Sequence, residues 1–224
     1  MNYSIRTEDL RKEYQMGELT VKALEGVNLE IEKGSFTSIM GPSGSGKSTL
    51  MHMIGLLDAP SSGEVYLSGK KTSKLSDRQK AHLRMEKIGF VFQFYSLLSG
   101  FTALENVFMP LVMKGKPKKE ARKSSREALE KVRLADRLDH TPEELSGGQR
   151  QRVAIARALV NQPEIVLADE PNSQLDTETS NEIMGIFRDI SESGQTVITV
   201  NHEQEHGEKA DEVIWLEDGK ITER

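Results

Sequence analysis

The run Gly41-Pro42-Ser43-Gly44-Ser45-Gly46-Lys47-Ser48-Thr49 sets three glycines, one lysine and four hydroxyl residues side by side. Its first eight residues fit G-x-x-x-x-G-K-[ST], and the chemistry of that spacing is anion binding. Glycines let successive backbone N–H groups converge on a phosphate, because no side chain blocks the approach. A helix starting at the end of the loop adds its positive terminus. Lys47 is then placed to reach β- and γ-phosphates, and the Ser48 hydroxyl to ligate Mg²⁺. An ordinary Gly/Ser turn has the same composition. The exact spacing, and a position between an expected strand and an expected helix, favour the phosphate.

A magnesium–phosphate site also needs a carboxylate at a strand end, and Ile165-Val166-Leu167-Ala168-Asp169-Glu170 supplies two. Asp169 is expected to orient Mg²⁺ or its waters. Glu170, one residue past the strand, is placed to act on an attacking water; such a base contributes about 10²–10⁴-fold in rate. Taken alone, the pair reads as a solvated acidic strand end. Beside a phosphate loop it reads as catalytic.

These residues need elements to hold them. Val21–Ile31 and Ser35–Met40 read as strands, the second ending at the glycine loop, and Lys47–Leu57 as the helix that follows it. Glu64–Leu67 is a strand, Ser76–Met85 a helix capped by Ser76 or Asp77, and Ile88–Phe92 a buried strand ending at Gln93. Thr102–Ala135 is helical with a break near Gly115-Lys116-Pro117, and Gly147–Asn161 is a further helix. Ile165–Ala168, Thr196–Val200 and Val213–Leu216 are apolar strands, with the helix Glu178–Ser193 between the first two and a turn at Asp218-Gly219-Lys220. Strands without a polar face imply a sheet covered on both sides, hence an α/β chain with a helical insertion.

The segment Leu145-Ser146-Gly147-Gly148-Gln149, continuing Arg150-Gln151-Arg152-Val153-Ala154-Ile155-Ala156-Arg157-Ala158-Leu159, is a second glycine-rich helix start. It resembles the signature motif of the ABC-transporter ATPase family, and it precedes the Asp-Glu strand as it does there. Other positions match in the same order. Tyr14 resembles the aromatic residue that stacks on adenine, and Gln93 the glutamine that couples Mg²⁺ and water to a transmembrane partner. Leu175-Asp176 resembles the end of a loop crossing a dimer interface, and His202 the histidine contacting the γ-phosphate.

The resemblance implies a phosphate-loop NTPase (RecA-like) core with an N-terminal antiparallel β subdomain and a helical insertion carrying the signature motif. Residues 1–93 and 162–224 would form the ATP-binding core and 94–161 the helical subdomain of one domain. It implies ATP and Mg²⁺ as ligands, with Ser48, Gln93 and Asp169 around the metal and Glu170, His202, Gln93 and Lys47 as the catalytic set. A second copy would face the phosphate loop with its Ser146, Gly147, Gly148, Gln149 and Asp176. A transmembrane permease would be the other partner, holding the chain peripherally on the cytoplasmic face. Tyr14–Glu18, Ile88–Gln93 and Thr102–Val107 resemble the branch of macrolide exporters, lipoprotein-releasing ATPases, antimicrobial-peptide exporters and a cell-division ATPase.

Two positions depart from the family pattern. Asn172-Ser173-Gln174-Leu175-Asp176 stands where Thr-Gly-x-Leu-Asp is usual, and Asn201 precedes the histidine where threonine is usual. Loss of the glycine is expected to restrict a turning backbone and to slow dimer closure or turnover. His202-Glu203-Gln204-Glu205-His206 also fits the zinc-protease spacing H-E-x-x-H, but no third ligand follows and the first histidine directly follows a strand. The basic run Lys114 to Arg126 reads as a solvated helix face, with anionic headgroups the lesser alternative.

Composition narrows the classes. With 36% hydrophobic and 29% charged residues, the chain of 224 is an ordinary soluble globular sequence, and no apolar run is long enough to span a bilayer. Met1-Asn2-Tyr3-Ser4 lacks a secretory pattern. Cysteine is absent, which removes disulfides and thiolate metal sites. A net charge of −5 argues against a chain built to coat nucleic acid. A soluble ABC-type ATPase uncoupled from transport, and a nucleotide kinase, are the competing readings. The signature run and His202 speak against the kinase.

Overall fold

The computed structural model describes residues 3–202, 207 and 209–222. Two sheets sandwich one helix. The first is antiparallel, in the order β2-β1-β4-β5, from β1 (Tyr3–Met16), β2 (Leu19–Glu32), β4 (Ser62–Leu67) and β5 (Lys70–Lys71). The second has the order β10-β9-β3-β8-β7-β6, from β3 (Phe36–Met40), β6 (Ile88–Val91), β7 (Ile165–Asp169), β8 (Thr196–Asn201), β9 (Glu212–Glu217) and β10 (Lys220–Thr222). All its neighbours are parallel except β10, which returns antiparallel on β9. Helix α1 (Lys47–Ile54) lies between the sheets. Its Leu50, Met51, Met53 and Ile54 are buried with Ile5 and Leu10 of β1 and with Ile39, Leu167, Ile198 and Val200 of the parallel sheet.

The other face of the parallel sheet is covered by helices. Between β6 and β7 the chain forms α3 (Ala103–Met113), α4 (Lys118–Lys131) and α5 (Gly147–Leu159), and α6 (Thr177–Glu192) follows β7. Phe36, Val166, Ala168 and Val197 of the sheet share a core with Val107, Leu129, Val153, Ile155, Ile183 and Phe187 of these helices. Residues of β3, β7 and β8 thus alternate between two buried faces, which is why those strands read as unbroken apolar runs.

Local chemistry explains most element ends. Ser76, Thr102 and Ser146 each cap a helix in a capping box, with Gln79, Glu105 and Gln149 returning the bond. Helix α1 stops at Ile54, three residues before the sequence pattern implied, because Gly55 caps it and Leu56 turns left-handed at φ 56°. Helix α2 (Asp77–Lys87) runs two residues further than expected, directly into β6. The basic run lies largely on the solvent side of α4, where Lys118, Lys119, Arg122, Lys123 and Arg126 are exposed. No described helix is long and apolar enough to cross a membrane.

Candidate active site

Four candidate segments meet at the carboxyl ends of adjacent parallel strands. Gly41 follows β3, His202 follows β8, Asp169 ends β7 with Glu170 beyond it, and Gln93 lies in the turn after β6. In open α/β sheets this edge is where ligands bind, since the loops there converge while the strands stay rigid.

The glycine loop is clamped from both sides. A Cβ on Gly41 would stand 1.9 Å from the carbonyl oxygen of Leu216, and one on Gly46 2.3 Å from that of Ala23. Gly219 N–H donates to the Ser45 carbonyl at 3.0 Å. Any side chain at Gly41 or Gly46 would therefore push the loop off β2 or β9. Lys47 is buried, and its ammonium donates to the carbonyls of Gly41 at 2.8 Å and Pro42 at 2.7 Å. Burial lowers its pKa, while Glu170 and Asp169 act in the opposite direction. Ser45 Oγ is buried with no hydrogen-bond partner, a hydroxyl free for a ligand oxygen. Pro42, Ser43, Gly44 and Ser48 are exposed around it, and Thr49 is half-buried in the first turn of α1.

Ser48 Oγ donates to Asp169 Oδ1 at 3.2 Å, joining the helix start to β7. Burial raises the Asp169 carboxyl above its ordinary value, partly offset by that hydroxyl. Glu170 has left-handed backbone, φ 44°, and its N–H donates to the Val200 carbonyl at 2.9 Å. Its Oε1 lies 3.4 Å from His202 Nδ1. The two candidate catalytic side chains therefore face one another across the β7–β8 edge.

Tyr14 lies on the β1–β2 hairpin opposite Val21, two residues before the Ala23 that abuts Gly46. Its hydroxyl donates to Asp58 at 3.3 Å, and the Lys12 ammonium sits 4.8 Å from the ring centre while pairing with Asp58 at 2.7 Å. Lys12 and Asp58 were not singled out from sequence. They lie 46 residues apart, and nothing local marks them as partners.

The signature segment packs elsewhere. A Cβ on Gly147 would stand 3.3 Å from both Leu175 Cδ2 and Tyr95 Oη, and one on Gly148 2.5 Å from Thr179 Cγ2. Asp176 is the N-cap of α6, accepting from Thr179 N at 2.9 Å and Thr179 Oγ1 at 2.8 Å. Ser146 to Gln149 and Asp176 thus form one cluster with each other. Arg157, on the same helix, donates to the carbonyls of Tyr95, at 2.7 Å, and Ser96, both left-handed at φ 61° and 49°. That ties α5 to the turn that follows Gln93.

Both departures have a physical account. The turn after β7 takes its left-handed residue at Glu170; Asn172 and Ser173 are not left-handed. Ser173 instead donates twice to the Glu170 carbonyl, from N–H at 3.3 Å and Oγ at 3.1 Å. Serine in place of glycine thus fastens the turn to the Glu170 carbonyl. Asn201 is buried, its Nδ2 donating to Thr199 Oγ1 at 2.8 Å and Ser38 Oγ at 3.1 Å. Of the H-E-x-x-H pattern, Glu203 to His206 lie outside the described residues, and His202 itself faces Glu170.

The sequence pattern of the ABC transporter family matches residues 24–173, spanning the glycine loop, the signature segment and the Asp-Glu pair. The chain belongs to that family. An ABC transporter ATP-binding protein of Thermotoga maritima is 49% identical over 213 residues, 95% of this chain and 91% of that protein. The macrolide export ATP-binding/permease protein MacB of Chlorobaculum tepidum is 48% identical over 98% of this chain, which spans 34% of that longer protein. Among solved structures, the ATP-binding cassette MJ0796, in a dimeric post-hydrolysis state bound to ADP and Pi, superposes with a TM-score of 0.91. It is 45% identical and covers 98% of this chain and 97% of its own. This ABC subunit accordingly has the RecA-like ATPase core with its antiparallel β subdomain and helical insertion, and it is an ATP-hydrolysing subunit of a transport system.

Proposed function

We propose that this ABC subunit powers export or mechanical work through a separate membrane permease, splitting ATP between two copies of itself. The observation that carries the reading is the convergence of loop, carboxylates, glutamine and histidine on one sheet edge. The relatives named MacB join an ATP-binding and a permease part in one chain, and this chain matches about a third of such a protein. A permease of that kind, holding this subunit against the cytoplasmic face of the membrane, is the partner the likeness supports.

Each residue then has a task. The loop Gly41–Thr49 grips the phosphates through backbone amides, Lys47 and the free Ser45 hydroxyl. Tyr14 stacks on the base. Ser48, Asp169 and Gln93 offer only oxygen donors, the set that suits Mg²⁺, and the 3.2 Å Ser48–Asp169 contact already draws two of them together. Magnesium bound there would neutralise phosphate charge. Glu170 receives the proton of the attacking water, and His202 contacts the terminal phosphate. Ser146, Gly147, Gly148, Gln149 and Asp176, clustered apart from the loop, serve the site of the facing copy. The dimeric state of the MJ0796 cassette is the precedent.

A groove of about 1070 Å³ runs over β6 between α2 and the helical segment, lined by His82, Met85, Phe90, Pro110, Met113 and Arg157 among others. Met113 is 74% exposed, and Phe94, next to Gln93, is 72% exposed. Apolar exposure on this scale marks a contact surface. A cytoplasmic segment of the permease is the occupant this reading assigns, because the groove borders the turn that carries Gln93.

The test is a pair of variants. Glu170→Gln should lower kcat for ATP by about 10²–10⁴-fold with affinity retained. Lys47→Ala should weaken ATP binding by roughly tenfold or more, since a hydrogen bond to a charged group contributes about 1.5–3 kcal/mol. Wild-type turnover by Glu170→Gln would overturn the assignment of the base.

A further inference from the structure

We infer that Asn201, where the family usually has threonine, is a positioning residue that fixes His202 against Glu170 by anchoring the end of β8 to β3. The inference rests on the role given to His202 above.

The geometry leaves little freedom at this edge. Glu170 is pinned through its N–H to the carbonyl of Val200. His202 must present Nδ1 to the Glu170 carboxylate at 3.4 Å. Asn201 is the one residue between those two fixed points, and it is the last residue of its strand, paired with Met40 immediately before the phosphate loop. Rotation about the Asn201 backbone would swing His202 away while leaving Val200 in place.

The side chain opposes that rotation. Asn201 is 3% exposed, and its Nδ2 supplies two N–H groups, one to Thr199 Oγ1 on its own strand and one to Ser38 Oγ on β3. Thr199 Oγ1 in turn lies 3.4 Å from Ser38 Oγ, so the three side chains form a closed polar triangle. Ser38 and Thr199 are fully buried, in register with each other, and flanked by the apolar Phe36 and Val197 on the same face. An amide held between two buried hydroxyls keeps those bonds only in this side-chain rotamer, since turning it away leaves buried polar groups unpaired. Ser38 is three residues before Gly41, so the triangle references the histidine to the strand that aims the phosphate loop. A threonine offers one hydroxyl in place of two amide hydrogens and can complete only part of it.

The experiment compares Asn201→Val, Asn201→Thr, His202→Ala and the double variant Asn201→Val/His202→Ala, in steady-state ATP hydrolysis by the full chain. Valine and threonine have nearly the same shape, so their difference isolates the hydrogen bonds. Asn201→Val should lower kcat about tenfold or more with KM for ATP within twofold, and Asn201→Thr should recover part of the loss. In the His202→Ala background the valine should change kcat by less than twofold, because the residue acts through the histidine. Wild-type kcat in a folded Asn201→Val with only its melting temperature changed would overturn the inference. So would an equal further loss in the His202→Ala background. Unchanged turnover in His202→Ala alone would instead overturn the role of His202, and the inference with it.

Discussion

At the scale of single residues, the site combines a buried ammonium with a half-buried carboxylate, each partly withdrawn from water. Asp169 shows the consequence. Burial raises its pKa above the ordinary carboxylate value, so at neutral pH the folded chain carries an ionised group in a place that favours the neutral form. A folded-state pKa above the unfolded one means that stability is gained as pH falls through it. Without nucleotide or magnesium, Asp169→Asn should melt at a higher temperature than wild type at pH 7. The gap should narrow as the pH is lowered toward the raised pKa, and calorimetry in chelator checks it. A lower melting temperature at pH 7 would mean that the carboxylate earns more from Ser48 and Lys47 than burial removes. Legibility at this scale was uneven. Lys47, Ser48, Asp169 and Glu170 announce themselves because their spacing is local. The bonds of Asn201 to Ser38, and of Lys12 and Tyr14 to Asp58, did not, because they join segments distant in sequence, strand to strand in the first case and β1 to the loop after α1 in the second.

Elements carry the next layer. Helix α5 begins with Ser146 closing a capping box with Gln149, at the same end that presents Gly147 and Gly148 beside Tyr95, Leu175 and Thr179. The cap satisfies backbone donors that would otherwise be left bare at the helix start. Ser146→Ala should cost about 1 kcal/mol, lowering the melting temperature by about 2–4 °C for a domain of this size. Because Ser146 sits apart from its own chain's glycine loop, monomer affinity for ATP should be unchanged; thermal denaturation and titration calorimetry read the two effects separately. The helices and inner strands were legible from periodicity and caps. Three sheet members were not. Tyr3–Met16 is a strand despite the charged run Arg6 to Glu13, because β1 is broken by register shifts near left-handed Asp9 and leaves its far half exposed. Lys70–Lys71 and Lys220–Thr222 are too short to show alternation, and exist through pairing with β4 and β9.

For the whole molecule, the arrangement of the two glycine-rich helix starts is the decisive feature. One is clamped between β2 and β9 at the edge where Asp169, Glu170 and His202 gather. The other is packed with Tyr95, Leu175, Thr179 and the Asp176 cap. In the proposed dimer, a second copy supplies the phosphate that this second helix start would meet. The sequence disclosed both starts and their order. The separation between them depends on the fold of the whole chain.

Sedimentation velocity on Glu170→Gln tests this most directly, run with and without saturating ATP and magnesium. A base-free site should hold unhydrolysed ATP between two copies, so the monomer should convert to a dimer only when ATP is added, and Ser146→Arg in the same background should prevent it. A chain that stays monomeric with ATP bound in its glycine loop would contradict the account.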